Sequence, residues 1–303
     1  MEFNFLKLVF TITLETDIAD PYLLFGTRTD FAEIFRKVVG CDYGNCEKCL
    51  RGIDCPYQQI FSQAMHPDQS AIKRFQKPPL PFVFDPPLLP PPPNNNNRCE
   101  IGLTLTGLAV NHVLHFLDAV CFMFGQQESR WTRFAKVEMI ESIDYRGSRT
   151  VISEHGNRAA LDRFYVLSLE GLEKSSILPT DELRLTFATP LQIMKDGRPL
   201  RELSFSALAM SLIRRISSIA FYYCFMELDL DYKWLSRKSN EINIIDNGFR
   251  WVEWDKKLSG IIGSAIFTGR MVEFHPFLLL GEYLHVGKGT AYGFGRYRLE
   301  RGD

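Results

Sequence analysis

The sequence lacks an excess of either charge. Lys and Arg together number 35 and Asp and Glu 36, a formal net charge of −1 over 303 residues. That balance argues against a protein that coats nucleic acid through bulk basicity, while a local basic groove stays open. Long apolar runs are scarce too. The longest are broken by charge or glycine within about 15 residues, short of a membrane-spanning helix, so no membrane role is expected. Residues 1–16 carry Glu2 and Lys7 among β-branched and aromatic side chains. They have no basic start, apolar run or small-residue cleavage site, and do not read as a signal peptide. The seven cysteines are too sparse for a secreted disulfide framework. A cytoplasmic protein is the simplest reading. Hydrophobic residues at 46% and charged residues at 23% exclude a disordered chain. The length admits two ordinary domains.

What is present falls into two similar halves. Residues 3–14 alternate loosely and read as a strand. Asp30 caps an amphipathic helix over 31–39, with Phe31, Ile34, Phe35 and Val38 on one face. A cysteine-rich insertion (41–57) follows. Residues 80–84 read as an edge strand, where proline is tolerated, and 86–97 form a Pro/Asn-rich low-complexity loop. A strand (100–106), a helix (108–124) and a strand (133–143) complete the half. The second half reads as a strand (183–193), a long helix (205–225), a hairpin (249–254 with 261–274), a short helix (276–284) and a strand (292–299). Both follow the order βαββαβ. The expectation is therefore an α+β protein with tandem ferredoxin-like, RRM-like domains. The N-terminal domain spans 1–145, a connecting segment 146–180, and the C-terminal domain 181–303.

Cys41, Cys46, Cys49 and Cys55 are spaced C-x4-C-x2-C-x5-C. Four thiolates at this spacing suit one tetrahedral metal, with Cys46-x2-Cys49 as the knuckle. Structural zinc is the first choice. An iron–sulfur cluster is the second, since Cys55-Pro56 echoes one ferredoxin ending. Four unliganded thiols in a loop are the plain alternative. Four cysteines leave no open coordination position, so no catalytic metal is expected.

A glycine-rich run spans 285–297. Gly289 separates Gly287-Lys288 from Thr290, so it is not an NTPase phosphate loop. Too little chain follows for a dinucleotide-binding unit. What remains is a loop whose backbone, at Gly287, Gly289, Gly293 and Gly295, can approach a ligand closely. Lys288, Arg296 and Arg298 offer charge beside Thr290, and Tyr292 and Tyr297 offer stacking surfaces. Phosphate contacts with base stacking suit single-stranded RNA. A structural hairpin or bulge is the alternative.

The stretch from Pro276 through Leu280-Gly281-Glu282 and His285-Val286-Gly287-Lys288-Gly289-Thr290 into Gly293-Phe294-Gly295-Arg296-Tyr297 resembles a known C-terminal signature. It is that of the CRISPR precursor-RNA-processing endoribonucleases of the RAMP superfamily. Thr189-Pro190-Leu191, Asp196-Gly197-Arg198 and Leu212-Ile213-Arg214-Arg215-Ile216 resemble the opening of the same domain. Residues 49–61, with Cys55-Pro56-Tyr57, are similar to the insertion of the cysteine-containing branch. The resemblance implies tandem ferredoxin-like domains. It implies metal-independent cutting of CRISPR repeat RNA in pre-crRNA, leaving a 2′,3′-cyclic phosphate and a 5′-hydroxyl. CRISPR effector subunits are implied as further partners, and a homodimer is an admissible assembly. Many relatives place a catalytic histidine in or near the first helix. Here residues 31–39 contain none.

Proton transfer suits histidine, whose pKa lies near neutrality. His285, directly before the glycine loop, is the first catalytic candidate, with Lys288 beside it. A loop-fixing histidine at a helix end is the alternative. His112 and His115 share a helix face and read first as packing residues. Arg214 and Arg215 interrupt an apolar helix, where burial is costly unless they are paired. They and Arg270 are candidate phosphate contacts, with carboxylates as their alternative partners. Two other functions fit the same residues: a non-catalytic crRNA-binding subunit, or an interaction protein whose cysteine module docks a partner.

Overall fold

The computed structural model describes residues 3–14, 28–41, 46, 49, 51–68, 75, 77–87, 98–125, 135–154, 160–176, 178, 181–255 and 258–300. The chain divides into two compact units, Asn4–Leu167, and Met1–Phe3 with Ser168–Asp303. The division falls inside the 146–180 segment.

In the first unit, strand β1 (Asn4–Leu14) alternates as its sequence demands. Leu6, Leu8, Phe10 and Ile12 are fully enclosed on one face, and Lys7, Thr11 and Thr13 lie on the other. Helix α1 (Arg28–Val38) buries Phe31 and Phe35. The short helix α2 (Pro56–Phe61) begins on proline, whose missing N–H costs nothing at a first turn. Strands β2 (Phe82–Asp85) and β3 (Arg98–Thr106) precede helix α3 (Val113–Gly125), which is reached through a 3-10 turn, Gly107–His112. Strands β4 (Ala135–Ile143), β5 (Arg149–Glu154) and β6 (Val166–Ser168) follow. The sheet runs β2-β3-β1-β4-β5, with β6 also pairing with β1. Its β2-β3-β1-β4 core is the ferredoxin-like arrangement.

Phenylalanine fills the space between sheet and helices. Phe31 meets Phe84 at 4.9 Å between ring centres, Phe35 meets Phe116 at 4.9 Å and Phe61 at 5.2 Å. These are edge and tilted geometries favoured by ring quadrupoles. The opposite face of β1 carries a part-buried ion pair. Lys7 Nζ bonds Asp85 Oδ2. A Cβ on Gly102 would lie 2.7 Å from that oxygen, so this pair occupies the space a side chain would need.

The expectation that no run would reach membrane-spanning length is corrected. Gly107–Gly125 is long and apolar enough by length and composition, because Asp118 is its only acidic residue. Its Phe116, Leu117, Val120, Met123 and Phe124 are buried in this unit.

The second unit opens with helix α4 (Leu169–Ser175), N-capped by Ser168. Strand β7 (Glu182–Leu191) leads through the two-residue strands β8 (Met194–Lys195) and β9 (Arg198–Pro199) to helix α5 (Phe205–Tyr223). Ser204 caps α5 by accepting from the Ala207 amide. Helix α6 (Tyr232–Ser239) is capped in the same way by Asp231. Strands β10 (Asn243–Asn247), β11 (Arg250–Asp255) and β12 (Leu258–Thr268) precede helix α7 (His275–Leu284) and strand β13 (Tyr297–Leu299). The order β10-β12-β7-β13, with β11 also on β12, repeats the ferredoxin-like arrangement.

The strand expected over 292–299 shortens to Tyr297–Leu299. Left-handed Gly289 and Gly293 bracket a 3-10 turn at Thr290–Tyr292, which keeps the chain out of extended geometry. Strands β5 and β6 and helices α4 and α6 were not anticipated. The low-complexity loop over 88–97 lies outside the described residues.

Candidate nucleic-acid interface

The glycine loop is tied to the end of β7. The buried Thr189 hydroxyl donates to the Gly293 carbonyl at 2.7 Å and accepts from the Arg296 amide at 2.9 Å. The Gly295 amide donates to Pro190 O at 3.0 Å, Lys288 N to Gln192 O at 2.9 Å, and Val286 N to Gly295 O at 3.2 Å. A Cβ on Gly295 would stand 1.8 Å from Val286 O, and one on Gly287 2.5 Å from Gln192 O. Glycine is therefore required here by contact as well as by φ. Below the loop, the enclosed Tyr297 hydroxyl donates to Leu278 O at 2.7 Å, and Gly281 leaves room for it.

The loop presents little of what the sequence suggested for stacking. Tyr292 and Tyr297 are 8% and 1% exposed. The 3-10 turn directs the first ring inward, and the bond to Leu278 holds the second. Thr290 is also buried. Lys288 and Arg298 are exposed. Arg296 is half-buried, and burial lowers its pKa. Left-handed Gly289 followed by a right-handed turn is a backbone pattern that gathers amides into an anion-binding concavity.

His285 lies at the C-cap of α7 with φ 57° and is 0% exposed. Its amide closes the helix onto Gly281 O at 2.8 Å. Enclosed like this, the ring offers no surface to a substrate, and its place is under the loop. Arg215 reaches the same corner, donating from Nε to Leu284 O at 3.0 Å, where a cation suits the helix C-terminus. Burial pushes its pKa down to about 10. Arg214, one step around the helix, is exposed and bonds Met210 O of its own helix at 3.0 Å. Arg270 is exposed and faces Glu273 at 3.5 Å. Thus the structure brings the 285–296 residues and Arg215 together, while Arg214 and Arg270 turn to local partners.

In the first unit, packing joins residues that the sequence did not connect. His112 Nε2 donates to Gln59 Oε1 at 2.5 Å, and the His112 and His115 rings lie 5.8 Å apart. Burial, and secondly His115, lower the His112 pKa. This group therefore stabilises the fold fully above about pH 6.5, its ordinary value. That contribution is lost as pH falls through the lower folded value. His112→Gln should accordingly flatten the acid side of a urea-midpoint profile; an unchanged profile would remove the linkage. Nearby, burial raises the Cys46 pKa, and Cys41, Cys55 and Cys49 add to the rise. The four cysteines thus lie within electrostatic reach of one another. Among the described residues no three donors stand at metal-coordinating distance.

A family model described as CRISPR-associated endoribonuclease Cas6 matches residues 185–297, the span from β7 through the glycine loop. Over those residues the chain is similar to the Cas6 family. A second model, described as an N-terminal domain, matches residues 3–163. Thermus thermophilus Cas6 is similar in fold at a TM-score of 0.56 and 14% identity, covering 99% of this chain and 100% of that one. A Cas6 product complex matches at 0.60 and 14%, covering 98% and 100%. A chain of a partial Cas6-RT-Cas1–Cas2 complex matches at 0.57 and 12%, covering 99% of this chain and 46% of that one. No curated protein matches in sequence. The histidine-free α1 departs from the pattern noted above, and the structure packs His112 against Gln59 and His115. The sequence signal of His112, a histidine three residues before another on a helix face, gave no hint of Gln59.

Proposed function

We propose that this chain cuts CRISPR repeat RNA within precursor transcripts to release crRNA guides. The observation that carries the reading is the glycine loop, held to β7 by Thr189 and presenting Lys288 outward. RNA supplies its own nucleophile, the 2′-hydroxyl. Its attack on the adjacent phosphorus expels the 5′-oxygen and closes a 2′,3′-cyclic phosphate. The protein must then accept one proton, deliver another and offset the phosphorane charge. Lys288 supplies the charge, with Arg296 and Arg298 adding phosphate contacts. His285 and Arg215 are positioning residues that set the end of α7 and with it the loop. No metal is needed for these steps. The products should carry a cyclic phosphate and a 5′-hydroxyl that accepts kinase label without phosphatase treatment; 5′-phosphate ends would overturn the chemistry.

A second reading draws on the enclosed His285 and the histidine-free α1: a crRNA-binding effector subunit that does not cut. Tight repeat binding with intact RNA would select it. In either reading we place the chain in the cytoplasm beside CRISPR effector subunits.

A further inference from the structure

We propose that Cys41, Cys46, Cys49 and Cys55 bind one zinc ion that ties the C-terminal end of α1 to the N-terminus of α2. The four fall within residues 41–55, and each sits at a corner of the chain. Cys41 follows left-handed Gly40, and its amide closes α1 onto Arg36 O at 3.0 Å. The Cys49 amide donates to Cys46 O at 3.2 Å. This closes the two-residue turn that presents paired thiolates to zinc. Gly52, at φ 49°, turns the chain again, and its carbonyl accepts from the Cys55 amide at 3.2 Å. Cys55 is the N-cap of α2. Arg51 Nη1 donates to Val39 O at 2.8 Å, which folds the insertion back against the end of α1.

None of the seven cysteines is in a disulfide. The donors do not stand at coordinating distance in this structure, so zinc would draw them inward. Four thiols would each release a proton, and the tetrathiolate would carry two negative charges. Arg36, which bears electrostatically on Cys46, and Arg51 offset that charge. The donor set is all sulfur and complete, which suits structural zinc and leaves no place for substrate. Binding would fix α2, whose Gln59 holds His112 and whose Phe61 packs on Phe31 and Phe35.

The test uses the full chain, purified with reductant, without a histidine tag, from zinc-supplemented medium. Elemental analysis should find zinc equimolar with protein. Cobalt exchange should give the ligand-field bands of a tetrahedral thiolate site. The Cys46→Ser/Cys49→Ser variant should lose both. Wild-type chain that is folded by circular dichroism yet zinc-free would overturn the proposal, as would iron in place of zinc. If the variant does not fold, wild-type stoichiometry and the cobalt spectrum decide alone. RNA cleavage is not the readout, so failure here leaves the RNA reading standing.

Discussion

Gly295→Ala should lower affinity for repeat RNA on the order of 100-fold while the first unit stays folded. The added Cβ would lie 1.8 Å from Val286 O. The oxygen is backbone and a Cβ position is fixed by its own backbone, so no rotamer relieves the contact and the loop must move. The residue also holds φ at 67°, and a left-handed non-glycine residue costs roughly 1–2 kcal/mol. Two hydrogen bonds stand on this residue, Gly295 N to Pro190 O and Val286 N to Gly295 O. Each is worth about 1 kcal/mol net. The sum is near 3 kcal/mol, and about 1.4 kcal/mol is a factor of ten. Gly197→Ala is the control. Gly197 is also left-handed, at φ 77°, with nothing within 4 Å of an added Cβ. It should bind RNA as wild type does. Equal binding by both variants would show that the loop does not hold the RNA.

Lys7→Met should destabilise the first unit by about 1.5–3 kcal/mol, the usual worth of a hydrogen bond to a charged group. Asp85 is 7% exposed, and Lys7 Nζ bonds its Oδ2. The carboxylate sits over Gly102 with no room for a compensating side chain. Replacing both members, Lys7→Met with Asp85→Leu, removes the charge as well as its partner. That double variant should recover most of the loss. Urea midpoints of the wild type, the singles and the double form the test. A single variant within about 1 kcal/mol of wild type would mean that water reaches Asp85 and that the site is exposed in solution.

The architecture was legible where the pattern was strong. Alternation in β1 and the apolar face of α5 follow directly from side-chain period, and the doubled element order led to two sheets of ferredoxin-like order. Elements of a few residues escaped. Strand β6 has three residues and forms because β1 offers it a pairing edge, which no local signal encodes. The site was legible as a loop and illegible as a surface. Four glycines and Lys288 announced close backbone approach. The inward turn of Tyr292 and the enclosure of His285 depend on how α7 packs beneath the loop, through Gly281 and Tyr297. His112 was visible as a helix-face histidine. Its bond to Gln59 arises only when α2, 53 residues away, folds onto the same core.

The most direct test of the central claim incubates the purified chain with its own repeat RNA in EDTA. A single cut at one position, with a 2′,3′-cyclic phosphate on the upstream product and a 5′-hydroxyl on the downstream product, is the result predicted. Intact RNA, or cutting that appears only when magnesium is restored, would contradict it.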